Sequence, residues 1–197
     1  DKGWQTPCPK KGGGGGTPTP TSTPPLDGQV LIKPTDIADG RLRCHFPSYP
    51  GHKGIDIIGG SIFEKNVYAA GSGYVQVADS MNDSGAGRWV WIYHGNVKGL
   101  DGMARANIST RYLHLEAVNA VENTKIGQGM KIGTVGSTGN STGPHLHFET
   151  RQGSRGAILS NTTALNPENF ISYPVEQNTT LCVAALSPVH LKVTDPD

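Results

Sequence analysis

Seven histidines stand in this chain (His45, His52, His94, His114, His145, His147 and His190), and some of them are spaced in ways that carry chemistry. In Gly143-Pro144-His145-Leu146-His147-Phe148-Glu149 two of them lie two residues apart. On a strand that spacing projects both imidazoles from one face and sends Leu146 and Phe148 to the other. The apolar face can then pack on a core while the imidazoles converge on a common point. In Gly51-His52-Lys53-Gly54-Ile55-Asp56-Ile57 a histidine and a carboxylate are four apart. The two glycines argue against a helix there. A turn carrying His52 that enters a strand carrying Asp56 still brings the side chains together, with Ile55 and Ile57 turned to the core. Alone, this pair is the ordinary pattern of a turn histidine beside a satisfied carboxylate. Combined with the second motif, it completes a set of two imidazoles and one carboxylate, a common ligand set for a catalytic zinc that keeps its fourth position for water. Spacing does not rank His145 against His147 for the second imidazole. Such a metal lowers the pKa of its water and polarises a carbonyl, and a hydrolase then needs groups to take the proton and steady the oxyanion. His114, in Arg111-Tyr112-Leu113-His114-Leu115, sits on a strand pattern with apolar alternate positions and shares its expected face with Tyr112.

These side chains must be positioned by short strands. Val30-Leu31-Ile32, Gly54 to Ile58, Tyr74 to Val77, Trp89 to Tyr93, Thr110 to Leu115, Met130 to Val135 and His145 to Thr150 are apolar or alternating runs bounded by Gly, Asp, Asn and Ser. No segment sustains a helical period; the best short helix is Asn166 to Ile171, with Asn166 as cap and Pro167 in the first turn. The expected architecture is mainly antiparallel β.

The 197 residues suit one domain with a tail. Residues 12–25 read GGGGGTPTPTSTPP, flexible and then stiff, so residues 1–28 are expected to be a linker. Because a linker needs something on each side, an N-terminal module is expected to precede it. The folded domain is placed at 29–173 and a C-terminal extension at 174–197, with one strand around Leu181 to Ala185. Seventeen basic and sixteen acidic residues, without a basic run, argue against nucleic-acid binding. No apolar run approaches the 18 or so residues of a membrane span. Cys8, Cys44 and Cys182 form no CxxC pair, which disfavours a cysteine zinc site.

The motifs resemble those of the lysostaphin-type (LytM-type) zinc endopeptidases of bacterial cell walls. The resemblance runs over about residues 41–171 and rests on His52-Lys53-Gly54-Ile55-Asp56, Arg111 to Leu115 and the long run Gly136 to Glu149. It implies that His52, Asp56 and His147 bind one Zn2+ per chain and that His114 and His145 act as general base or oxyanion stabilisers. It implies a two-sheet antiparallel β fold with a groove over the metal and a short terminal helix at most. Tyr112, Asn140 and Thr142 are expected to meet substrate, and Gly95 to Ser109 to wall the groove. Before His52 the chain reads Arg43-Cys44-His45-Phe46-Pro47-Ser48-Tyr49-Pro50, where many relatives have a longer segment of Phe-Gly-Arg type.

The function this implies is hydrolysis of peptidoglycan stems or cross-bridges, by a secreted, periplasmic or cell-wall protein or a phage virion component. A catalytically inactive wall-binding or activator module of the same fold is the alternative. Such modules lose site residues, whereas all five are present here. A lipoyl- or biotin-carrier reading of Gly129 to Gly136 lacks the exposed Met-Lys turn those domains use.

Overall fold

Short apolar runs closed by turn residues form strands and very little else. The computed structural model describes residues 4–5, 28–37 and 39–174; the segments 6–27 and 175–197, with the linker, the strand expected near Leu181, Cys8 and Cys182, lie outside the described residues. In chain order the strands are β1 (Trp4–Gln5), β2 (Gln29–Val30), β3 (Arg41–Cys44), β4 (Ile55–Ile58), β5 (Asn66–Tyr68) and β6 (Gly73–Asp79). They continue with β7 (Arg88–Lys98), β8 (Ala104–Val118), β9 (Lys125–Ile126), β10 (Lys131–Val135), β11 (Leu146–Gln152) and β12 (Thr163–Leu165). Most of the expected runs fall in these strands. The run Val30-Leu31-Ile32 keeps ladder pairing only at its start, and the Ile32 N–H turns instead to Ala70 O at 2.9 Å.

The hydrogen-bonded order is β1-β9-β6-β7-β8-β11-β4-β3, largely antiparallel. β8 is long enough to branch the pairing. Up to Leu113 it runs between β7 and β11, and from Leu115 it pairs with β10, which carries β5. All the strands therefore belong to one connected sheet that branches at β8, where the motifs implied two. The buried core includes Leu42, Ile55, Ile57, Val75, Ile92, Leu115, Leu146 and Phe148. Each such buried side chain stabilises the fold by about 1.5–3 kcal/mol.

Alternation holds where the site is built. On β11, Leu146 and Phe148 are fully buried in the core, and on β4 so are Ile55 and Ile57. The register sets His147 opposite both Asp56 and Leu113, and Glu149 opposite Arg111. Gly54 permits this approach: a Cβ there would lie 2.3 Å from Phe148 O and 2.8 Å from His147 Nε2. The terminal helix is a single 3-10 turn, Pro167–Asn169, with the Asn166 side chain accepting from the Glu168 N–H at 3.0 Å. Gly95 to Ser109 does not wall a groove. It continues the β7–β8 hairpin, and its tip docks on this terminal turn through Leu100 N–H to Asn169 O at 2.7 Å.

Candidate metal centre and active site

β4 and β11, side by side, bring His52, Asp56 and His147 into one cluster whose ligand atoms all lie within 4.8 Å of one another. His147 Nδ1 is 2.8 Å from Asp56 Oδ1, and His52 Nε2 is 3.3 Å from Asp56 Oδ2. Asp56 is 1% exposed. Burial opposes its ionisation, but the adjoining imidazoles of His147 and His52 outweigh that and hold the carboxyl well below its usual range. Burial likewise opposes charge on His147, yet its contacts with Asp56 and Glu149 raise it to about 9.

The donor set fits a cation. His52 Nδ1 lies 2.9 Å from the His45 carbonyl, so it carries the proton and turns the Nε2 lone pair inward. That Nε2 and Asp56 Oδ2 are both buried without a hydrogen-bond partner. Two inward lone-pair donors left unsatisfied in a buried site cost several kcal/mol unless something positive sits between them. Two imidazoles and a carboxylate at this range suit zinc better than the all-oxygen cages of calcium or magnesium.

Two further imidazoles face the cluster. His145 Nδ1 lies 2.8 Å from Gly143 O and His114 Nδ1 lies 2.8 Å from Thr138 O, so each donates outward and leaves Nε2 as an acceptor on the site side. Their rings are 4.9 Å apart, and that of His114 is 6.0 Å from that of His147. Burial, with repulsion from His145 and His147, lowers His114 to about 3, and burial lowers His145. Both are neutral at physiological pH.

His114 reaches this face because β8 is irregular. Its φ is +63°, its N–H leaves the ladder to donate to Ala86 O at 3.0 Å, and the register slips between Arg88 and Val90. Strict alternation pairs His114 with Tyr112, and that expectation is wrong. Tyr112 lies fully buried in the core, its hydroxyl accepting from the Ala70 N–H and bonded to Thr110, both at 2.8 Å. It cannot touch substrate in this structure. Tyr112→Phe is expected to leave KM unchanged and to lower stability by about 1–3 kcal/mol, because the buried Ala70 amide loses its acceptor; thermal unfolding and kinetics check this together.

Asn140 does line the cleft, held by its N–H to Gly85 O at 2.8 Å, whereas Thr142 is exposed and not among the lining residues. The cleft holds about 290 Å³. Its walls come from Tyr49 and Lys53, from Gly85 and Ala86, and from Leu159. Tyr49 stacks on the His52 ring at 4.8 Å, so the segment before His52 shapes one wall.

Three supporting groups had no role in the sequence reading. Glu149 stands 3.3 Å from His147 Nε2. The His45 carbonyl orients His52, and both carboxylate oxygens of Glu168 lie 2.9 Å from His45 Nδ1. Period-two spacing from His147 signals Glu149; nothing local signals the other two. His94 is 4% exposed, with Nδ1 3.0 Å from Ser72 O and Nε2 2.7 Å from Thr110 Oγ1. Burial lowers it from 6.5 to about 4. Since the unfolded chain takes up this proton first, His94 withdraws about 3 kcal/mol of stability as pH falls from 6.5 to 4. Relative to wild type, His94→Gln is expected to flatten the loss of stability over that window in denaturant titrations.

A β-sheet floor bearing a buried His-Asp-His cluster beside two neutral histidines defines a metallohydrolase class of site. Residues 50–167 match peptidase family M23, and the chain belongs to that family. Peptidoglycan DD-endopeptidase ShyA of Vibrio cholerae is 40% identical over 83 residues, covering 42% of this chain and 16% of that protein. Glycyl-glycine endopeptidase ALE-1 of Staphylococcus capitis is 42% identical over 60 residues, covering 30% of this chain and 16% of its own. The chain thus spans under a fifth of these relatives. Among solved structures, the antimicrobial peptidase lysostaphin of Staphylococcus simulans has a TM-score of 0.52 at 27% identity, over 71% of this chain and 53% of its own.

Proposed function

We propose that this chain is a zinc-dependent endopeptidase that hydrolyses peptide bonds in peptidoglycan stems or cross-bridges. One observation carries the reading: His52, Asp56 and His147 converge with two donors unsatisfied, beside two imidazoles whose Nε2 lone pairs face the same space. A bound zinc supplies Lewis acidity toward a substrate carbonyl. The cleft between Tyr49, Asn140 and Leu159 opens onto that point.

The chain's own residues supply proton traffic. His114 and His145 are neutral acceptors, so either takes a proton from an attacking water as the C–O bond forms. Once protonated, the imidazole keeps that proton in a hydrogen bond to the carbonyl oxygen as negative charge develops there, and transfers it to the departing amine as the C–N bond breaks. Their Nδ1–H bonds to Thr138 O and Gly143 O hold both rings during these transfers.

The substrate class rests on family membership and on relatives named for peptidoglycan and glycyl-glycine endopeptidase activity. Such a protein works at the cell wall, outside the cell, in a periplasm or on a phage virion. Among the described residues no helix is long and apolar enough to cross a membrane. Digestion of purified walls of differing cross-bridge type is the test. New amino termini within stems or cross-bridges, abolished by chelation, are expected; new reducing sugar ends, or none of either kind, would refute the reading.

A further inference from the structure

His147 has two ring nitrogens and they face different partners. Nδ1 lies beside Asp56, on the side of the ligand cluster, and Nε2 points the other way, 3.3 Å from Glu149 Oε1. Glu149 is 4% exposed, an expensive place for a carboxylate unless it is paired. Its other oxygen, Oε2, accepts from Arg111 Nη1 at 2.8 Å and from Arg151 Nη1 at 3.0 Å. Both arginines are themselves almost wholly buried.

This arrangement follows from the sheet. His147, Glu149 and Arg151 alternate on one face of β11, and the β8–β11 register puts Arg111 directly across from Glu149. A same-strand cation and a cross-strand cation thus pin one carboxylate oxygen and leave the other for the imidazole. Arg111 is fixed in turn, with its guanidinium carbon 4.6 Å from the centre of the Trp89 ring. Two guanidinium groups on one carboxylate exceed what neutralising it requires, and their combined effect is to hold its direction.

We infer that Glu149, clamped by Arg111 and Arg151, is a positioning residue for the metal site: it accepts the Nε2–H of His147, keeps the Nδ1 lone pair turned toward the cluster, and strengthens that nitrogen as a ligand. An imidazole with no partner on its second nitrogen samples both tautomers and rotates about its bonds. A carboxylate there selects one tautomer and one ring orientation, and its charge raises ligand basicity. Losing such a partner typically weakens metal affinity 10–100-fold. Asp56 cannot do this, because it meets His147 from the ligand side.

The inference rests on the proposed metal site, and its test separates the two. Zinc affinity of the full chain is measured by competition with a chromophoric chelator for wild type, Glu149→Ala and Glu149→Gln, with circular dichroism checking the fold. The visible spectrum of each cobalt-loaded protein is recorded alongside. The alanine variant is expected to bind zinc 10–100-fold more weakly. The glutamine variant, which keeps an acceptor and loses the charge, should fall between it and wild type. Cobalt bands should shift in both, and KM at saturating zinc should change less than twofold. Folded variants with affinity within twofold of wild type and unshifted cobalt bands would overturn the role of Glu149 alone. Failure of wild type itself to bind zinc or cobalt would overturn the metal site and this inference with it. Should Glu149→Ala not fold, the glutamine variant decides by the same two readouts.

Discussion

Asp56→Ala and His147→Ala chains are expected to emerge from zinc loading without bound metal and to leave cell-wall peptides uncleaved. Asp56 is the hub of the cluster, with one oxygen 2.8 Å from His147 Nδ1 and the other 3.3 Å from His52 Nε2. Removing it takes away the only negative charge among the three ligands and leaves the two imidazoles without their shared partner. The loss of affinity must exceed the 10–100-fold typical of losing an outer partner, and turnover at micromolar zinc should fall by more than about 100-fold. The stability of the metal-free protein changes as well, because the carboxylate holds His147 in its charged form. Asp56→Asn keeps the volume and removes the charge, so it separates packing from ligation. Metal content by elemental analysis beside circular dichroism checks the expectation. A folded Asp56→Asn protein with a full equivalent of zinc would contradict it.

His114 variants should behave in the opposite way. Its ring stands 6.0 Å from that of His147 and no atom of it belongs to the ligand cluster, so zinc content is expected to stay near one per chain. Turnover should drop by about 10²–10⁴-fold, the range for losing a general acid or base. The backbone complicates an alanine test. His114 has a φ of +63°, a region that costs most residues about 1–2 kcal/mol and that asparagine adopts more easily. His114→Asn is therefore the cleaner variant: it keeps the bulge, removes the imidazole, and should lose kcat with little change in KM. Equal turnover in wild type and a folded His114→Asn would remove His114 from the chemistry. His145 is a poorer choice for this contrast, since its Nε2 lies 3.7 Å from Asp56 Oδ1 and its loss also disturbs the cluster.

The contrast between β11 and β8 shows what could be read from sequence. On β11 period-two alternation runs unbroken, so the split between Leu146 and Phe148 inside and His145 and His147 on the site side was legible from the residue order. The same rule failed on β8. A residue at positive φ other than glycine leaves no mark in hydropathy, and one bulge there moved Tyr112 into the core and left His114 in the site. Spacing likewise could not rank His145 against His147. The ranking depends on pairing β11 with β4, which sets His147 opposite Asp56 while the His145 ring is tied back to Gly143. Long-range pairings were equally hidden. The Arg111 clamp on Glu149 needs the β8–β11 register, and the tie between His45 and Glu168 spans 123 residues. The groove walls were misread for a similar reason. Gly95 to Ser109 is rich in turn residues, yet its ends continue two long strands, and the walls come instead from turns near Tyr49, Gly85 and Leu159.

Zinc held by His52, Asp56 and His147 is expected to switch on hydrolysis of cell-wall peptides. The most direct test is a titration of zinc into chelator-stripped protein while release of new amino termini from purified peptidoglycan is followed. The expected curve starts at the level of a no-enzyme control, rises linearly and reaches its plateau at one zinc per chain, and it is flat for Asp56→Asn. Full activity in the stripped protein, or an equal rise in the Asp56→Asn variant, would contradict the account.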